Sequence, residues 1–80
     1  MPNALDVAKY FLSKADADEA GDVISNLKLQ KLLYYAQGFH LALTGAPLFE
    51  EDIQAWVHGP VVREVWQAFN QYGANGIPAP

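Results

Sequence analysis

The first candidates for catalysis or metal binding in this chain are two histidines, nine carboxylates and a few hydroxyls. His40 and His58 could ligate a metal together with an acid, but no HxxxH or HxH spacing holds them, and the two sit in different elements. Each is better read structurally: His40 as a core histidine bonded to a carboxylate or carbonyl, His58 as a partner for nearby backbone. Glu50, Glu51 and Asp52 could supply a paired acid and base, yet nine acids in eighty residues bring carboxylates together by composition alone. A solvated acidic turn accounts for them. Ser13, Ser25 and Thr44 are the hydroxyl nucleophile candidates, and none lies in a glycine-bracketed elbow. The glycines at 21, 38, 45, 59, 73 and 76 form neither GxxxxGK nor GxGxxG, so no phosphate cradle is present. The acidic stretch Asp16 to Asp22 lacks the alternating ligands and closing Glu of a calcium loop, and reads as a linker. The sequence therefore points to no catalytic residue, no metal site and no cofactor.

Charge narrows the partners. Five Lys and Arg against nine Asp and Glu give a net charge of -4, which repels phosphate backbones, and there is no basic stripe; nucleic acid is a poor fit as a direct ligand. Cysteine is absent, which removes disulfides and thiolate zinc sites and suits a reducing compartment. The N-terminus has no basic leader and no apolar run of bilayer length, so a soluble, cytoplasmic protein without a membrane partner is expected. Hydrophobic residues are 51% and charged residues 18%. A chain so small must either bury an unusual share of itself or leave apolar surface for something else to cover.

Three helices must position these groups. Asn3 is a good N-cap for a first helix over Ala4 to Ala15, whose Leu5, Ala8, Phe11, Leu12 and Ala15 share a face. Ser25 and Asn26 offer caps for a second, running to Thr44 and stopped by Gly45 and Pro47. On that helix Leu29, Leu32, Leu33, Ala36, His40 and Leu43 lie along one side, and Leu27, Gln30, Tyr34, Gly38 and Leu41 along nearly the opposite one. Only Lys28, Lys31, Tyr35 and Ala42 look made for water, so the helix is expected to be central, with neighbours on both sides. Ile53 to Val57 reads as a short extended connection, and Gly59-Pro60 as the start of a third helix burying Val62, Val65, Trp66 and Phe69, up to Tyr72. The helices fall too far apart, with one Arg on the third, for a helix-turn-helix. Residues 74–80 read as a tail following a single domain over 1–73. The expectation is all-α: a small bundle of three main helices, with an extended connection between the second and third.

Particular words in the sequence add a resemblance. NLKLQKLLYYAQG, then G-x-PLF, then AW-x-x-GPVV-x-x-V, in this order between Ser25 and Phe69 and preceded by DVAKYFL, resemble the Panacea domain, the SocA-like and GepA-like phage-associated antitoxin family. The resemblance implies a helical, largely prokaryotic and prophage-borne domain that neutralises a cognate protein toxin by direct binding, without catalysis. It also implies an adaptor role in which the toxin is handed to an ATP-dependent protease. Members run about as long again, so this chain corresponds to the N-terminal half. By the same resemblance Asn26, Leu29, Gln30, Leu32, Trp56, Gly59, Pro60 and Val61 are structural motif positions, with Asn26 capping, the leucines packing, and Trp56 lying across the Gly-Pro turn.

Aromatic and basic residues left outward are then the candidates for partner contact: Lys28, Lys31, Tyr34, Tyr35 and Trp56. A protein-binding antitoxin is the leading reading, with a homodimer or a partner covering the second face of the long helix. The alternative is a phage or prophage transcriptional regulator that touches DNA.

Overall fold

The computed structural model describes residues 2–17, 24–73 and 75–78, with the backbone alone for 15–17. Helix α1 spans Ala4–Ala17, α2 Asn26–Thr44 and α3 Arg63–Ala68, followed by a 3-10 turn over Asn70–Tyr72. Between α2 and α3 stands a hairpin of β1 (Gln54–Trp56) and β2 (Gly59–Val61), antiparallel, with Gln54 opposite Val61, Ala55 opposite Pro60 and Trp56 opposite Gly59. The linker expected over Asp16 to Asp22 lies largely outside the described residues, α1 reaching Ala17.

The hairpin corrects the all-α expectation. Gly59-Pro60 does not open a helix; it forms the return strand. Gly59 takes φ of 127°, open to a residue without Cβ, and this lets the chain reverse through the two residues Val57 and His58. Pro60 is tolerated because Ala55–Pro60 is a non-hydrogen-bonded position of the ladder, where a missing N–H removes nothing. The extended segment is thus paired, and α3 starts at Arg63 and lasts six residues.

Local chemistry explains each helix end. Asn3 Oδ1 accepts from the Asp6 N–H at 2.8 Å, while the Asn3 N–H approaches Asp6 Oδ2 at 3.4 Å, a reciprocal cap on α1. The Ala4 N–H, a further unpaired donor of the first turn, goes to Glu51 Oε2 at 3.0 Å, so one carboxylate of the acidic run fastens the start of α1 instead of being solvated. Ser25 caps α2 by accepting from the Lys28 N–H, and Gly45, at φ 76°, ends it with its N–H on Leu41 O. Asn26 is not the cap.

The core joins α1 (Ala4, Val7, Ala8, Leu12), α2 (Leu29, Leu33), Phe49, and Val62 with Val65. Ile77 joins them: its N–H donates to Ile24 O at 2.8 Å and its side chain is buried. Trp66, expected in the core, is half-buried, and Val65 beside it fills that place.

Candidate functional site

The two signature stretches meet through a buried chain of amides. Asn26 and Gln30, one turn apart on α2, are both 1% exposed. Gln30 Nε2 donates to Asn26 Oδ1 at 2.9 Å, Asn26 Nδ2 donates to Trp66 O at 3.0 Å, and Gln30 Oε1 accepts the Val62 N–H at 2.9 Å. Two side chains of α2 therefore hold both the residue that opens α3 and a carbonyl within it. Buried amides left without partners would cost about 1–3 kcal/mol each, so this chain fixes the register of the hairpin and α3 on α2. Among the described residues no buried side-chain nitrogen or oxygen lacks a partner. Leu29 is fully buried in the core, Leu32 is half-buried against it, and Val61 is buried at the end of β2.

Further along α2 a second amide clasps the returning chain. Gln37 Oε1 accepts from the N–H groups of Leu48 and Phe49 at 2.7 and 3.3 Å, and its Nε2 donates to Phe49 O at 2.9 Å. His40 Nδ1 lies 2.7 Å from Ala46 O. The histidine does meet a carbonyl, as expected, but it is only half-buried and sits at the outer end of the helix. His58 is exposed on the hairpin turn, remote in sequence and in element from His40, and among the described residues no group of three His, Asp or Glu could hold a metal.

The opposite side of that half of α2 is bare. Tyr34, Tyr35, Phe39, Leu41 and Leu43 are all exposed, Phe39 at 70% and Leu43 at 82%. The expectation of neighbours on both sides therefore holds only for the first half, where Leu29, Gln30 and Leu33 are buried; Leu43, expected inside, lies outside because the core ends near Phe49. No Asp, Glu, Lys or Arg occurs from Leu32 to Thr44. Tyr34, Tyr35, Gly38, Phe39 and Ala42 border one shallow groove, and Tyr34 also borders a second, between α2 and the hairpin, with Ile53, Trp56, Gly59 and Pro60.

The five contact candidates can now be placed. Tyr34 and Trp56 line the same hairpin groove, and the Tyr34 and Tyr35 rings lie 5.7 Å apart. Trp56 stands edge-on to Trp66 at 5.8 Å and donates its Nε1–H to Gln54 Oε1 at 2.8 Å. Lys31 runs its stem past the hairpin, Cε lying 4.0 Å from where a Gly59 Cβ would be. Lys28 is exposed one turn earlier on α2. Phe39 belongs to this surface and is not among the sequence candidates; the absence of charge from residue 32 to 44 is the available signal for it.

A Gly-Pro hairpin pinned by buried amides to a central helix, whose far end carries uncovered aromatics, defines a small helix-and-hairpin domain. The chain matches the family described as antitoxin SocA-like, Panacea domain, over residues 29–79, and belongs to it. It is 44% identical over 71 residues to Antitoxin SocA of Caulobacter vibrioides (strain NA1000 / CB15N), a match covering 89% of this chain and 37% of that protein. The chain thus spans little more than a third of the curated relative's length. No solved structure matches it. Among the described residues no helix is long and apolar enough to cross a membrane.

Proposed function

We propose that this chain acts as an antitoxin, a cytoplasmic, non-catalytic protein that neutralises a cognate protein toxin by binding it. Its contact surface is the outer half of α2 together with the hairpin groove, with Tyr34, Tyr35 and Trp56 as anchors and Lys28 and Lys31 at the basic edge. One observation carries the reading: an uncharged helical segment with Tyr34, Tyr35 and Phe39 exposed runs into a groove walled by Trp56, in a family whose curated relative is an antitoxin. Large rigid aromatics with a polar tip are the side chains most enriched at protein binding hot spots, whereas a catalytic site needs convergent titratable groups. Delivery of the bound toxin to an ATP-dependent protease is the natural extension, since an adaptor needs only a second surface.

The test is co-expression with the product of the adjacent gene. That product should be toxic alone, harmless with this chain, and should co-purify with it, while Tyr34→Ala with Tyr35→Ala should weaken the complex by about tenfold or more. If cells are not rescued and nothing co-purifies, the reading is wrong.

A further inference from the structure

The hairpin keeps one edge unused. β2 lies against α2, which makes β1 the outer strand. Because Pro60 has no N–H, its pairing with Ala55 must be a non-hydrogen-bonded position, and the ladder bonds run through the flanking pairs. The N–H and C=O of Ala55 therefore point away from β2, and by the same alternation so do those of Ile53. Among the described residues no backbone or side-chain partner outside the strand pair reaches these four groups, and Ala55 is exposed. Val57, which follows β1 in the turn, is fully exposed and does not cover the end of this edge. An open edge of this kind is a template for another strand.

Two further features say what would lie there. The groove of Tyr34, Ile53, Trp56 and Pro60 adjoins the edge and offers apolar seats for alternate side chains. The ends of the hairpin also differ in charge: Lys31 reaches Gly59 at the tip, whereas Glu50 and Asp52, both exposed, precede β1 at the base. We infer that the outer edge of β1 and the residue before it, Ile53 to Trp56, is a strand-addition site for an extended segment of the protein partner. That segment alternates apolar residues and carries an acidic residue toward the tip and a basic one toward the base. The inference rests on the binding role proposed above and narrows it: main-chain bonds along the edge give affinity independent of the partner's side chains, and the groove and the two charged ends set the register.

The decisive probe is the purified product of the adjacent gene, titrated against this chain with amide hydrogen exchange read at Ile53 and Ala55. In the complex both amides should slow by about tenfold or more, because each acquires an acceptor. Ala55→Pro removes the edge donor at a position that already faces a proline; it should lose about tenfold or more in affinity with the melting temperature little changed, while Ala55→Ser binds as the parent does. Asp52→Lys should weaken binding by a smaller factor. A complex that forms with Ala55 exchanging as fast as in the free chain would overturn strand addition and leave the binding role standing. Absence of any complex would remove both. Sedimentation of the chain alone as a dimer with Ala55 protected would assign the edge to a second copy and likewise overturn the proposal. Should Ala55→Pro fail to fold, the exchange measurement on the parent chain decides alone.

Discussion

The two halves of α2 are one continuous helix and do opposite things. From Asn26 to Leu33 it is gripped on both sides: Leu29 and Leu33 face α1 and Phe49, and Asn26 and Gln30 hold the hairpin and α3. From Tyr34 to Thr44 it is gripped on one side only, by Gln37 and His40 holding the chain that returns after Gly45. A hydrophobic residue in the first half is spent on stability, and one in the second half is left over for contact with something else. Hydropathy alone does not distinguish Leu33 from Leu43; the position of the returning chain does. Substitutions along the helix should reveal a step in their effects between the two halves.

The largest effect belongs to Leu33→Ala. A fully buried leucine truncated in a core this small should lower unfolding stability by about 3 kcal/mol, whereas Leu43→Ala should change it by less than about 0.5 kcal/mol. Urea midpoints of the two variants measure the contrast. Equal shifts would mean that the outer half is covered in solution and that the step does not exist.

Next come the two glutamines, which sharpen the contrast because they do similar work in different surroundings. Gln30→Leu preserves volume but leaves the Val62 N–H and Asn26 Oδ1 without their partner in a dry joint, at a cost of about 2 kcal/mol. Gln37→Leu deletes three hydrogen bonds by count, yet Gln37 is half-exposed and water can replace it, so its cost should be about 1 kcal/mol. The number of bonds predicts one order and burial predicts the other. Chemical denaturation of the two variants decides between them.

The sequence made parts of this legible and concealed others for identifiable reasons. Helical periodicity located α1 and α2, and the caps at Asn3 and Ser25 and the stop at Gly45 follow from residue type alone. The hairpin was hidden because Gly-Pro is an equally good helix start, and because Val57-His58 lacks the Asn-Gly or Asp-Gly pair that marks a tight two-residue loop. The joint made by Asn26 and Gln30 is hidden because Asn26 beside Ser25 reads as an N-cap, and because Gln30, though its place on an otherwise apolar strip marks it for burial, does not name its partners in sequence. Ile77 sits in a segment without period, and only the backbone bond to Ile24 brings it inside. For the contact surface, Tyr34, Tyr35 and Trp56 could be nominated by type, but their joining through a shared groove is a consequence of the unforeseen hairpin.

A third contrast separates stability from binding within the outer half. Tyr35→Ser with Phe39→Ser should leave the urea midpoint nearly unmoved, within about 0.5 kcal/mol, since both rings stand in solvent. If the surface works as proposed, the same pair should cost about 1.5 kcal/mol or more in affinity for the partner, measured by calorimetry. Loss of stability instead of affinity would return these aromatics to the structural half of the comparison.

The smallest effect is the most discriminating, because its sign differs from the rest. Gly38 lies in mid-helix, an added Cβ there meets nothing within 4 Å, and its φ is not among the positive ones. Nothing in the folded chain requires glycine, which costs a helix interior about 0.5–1 kcal/mol relative to alanine. Gly38→Ala should therefore raise stability by about that amount, which a thermal melt can resolve. Gly38 borders the groove with Tyr34, Tyr35, Phe39 and Ala42, so a larger residue there, Gly38→Gln, should be tolerated by the fold yet impede whatever packs against the helix. A stabilised chain that binds less well would locate the reason for this glycine outside the molecule. A destabilised one would mean that the outer half of α2 is covered by its own chain, and that both halves of the helix serve the fold.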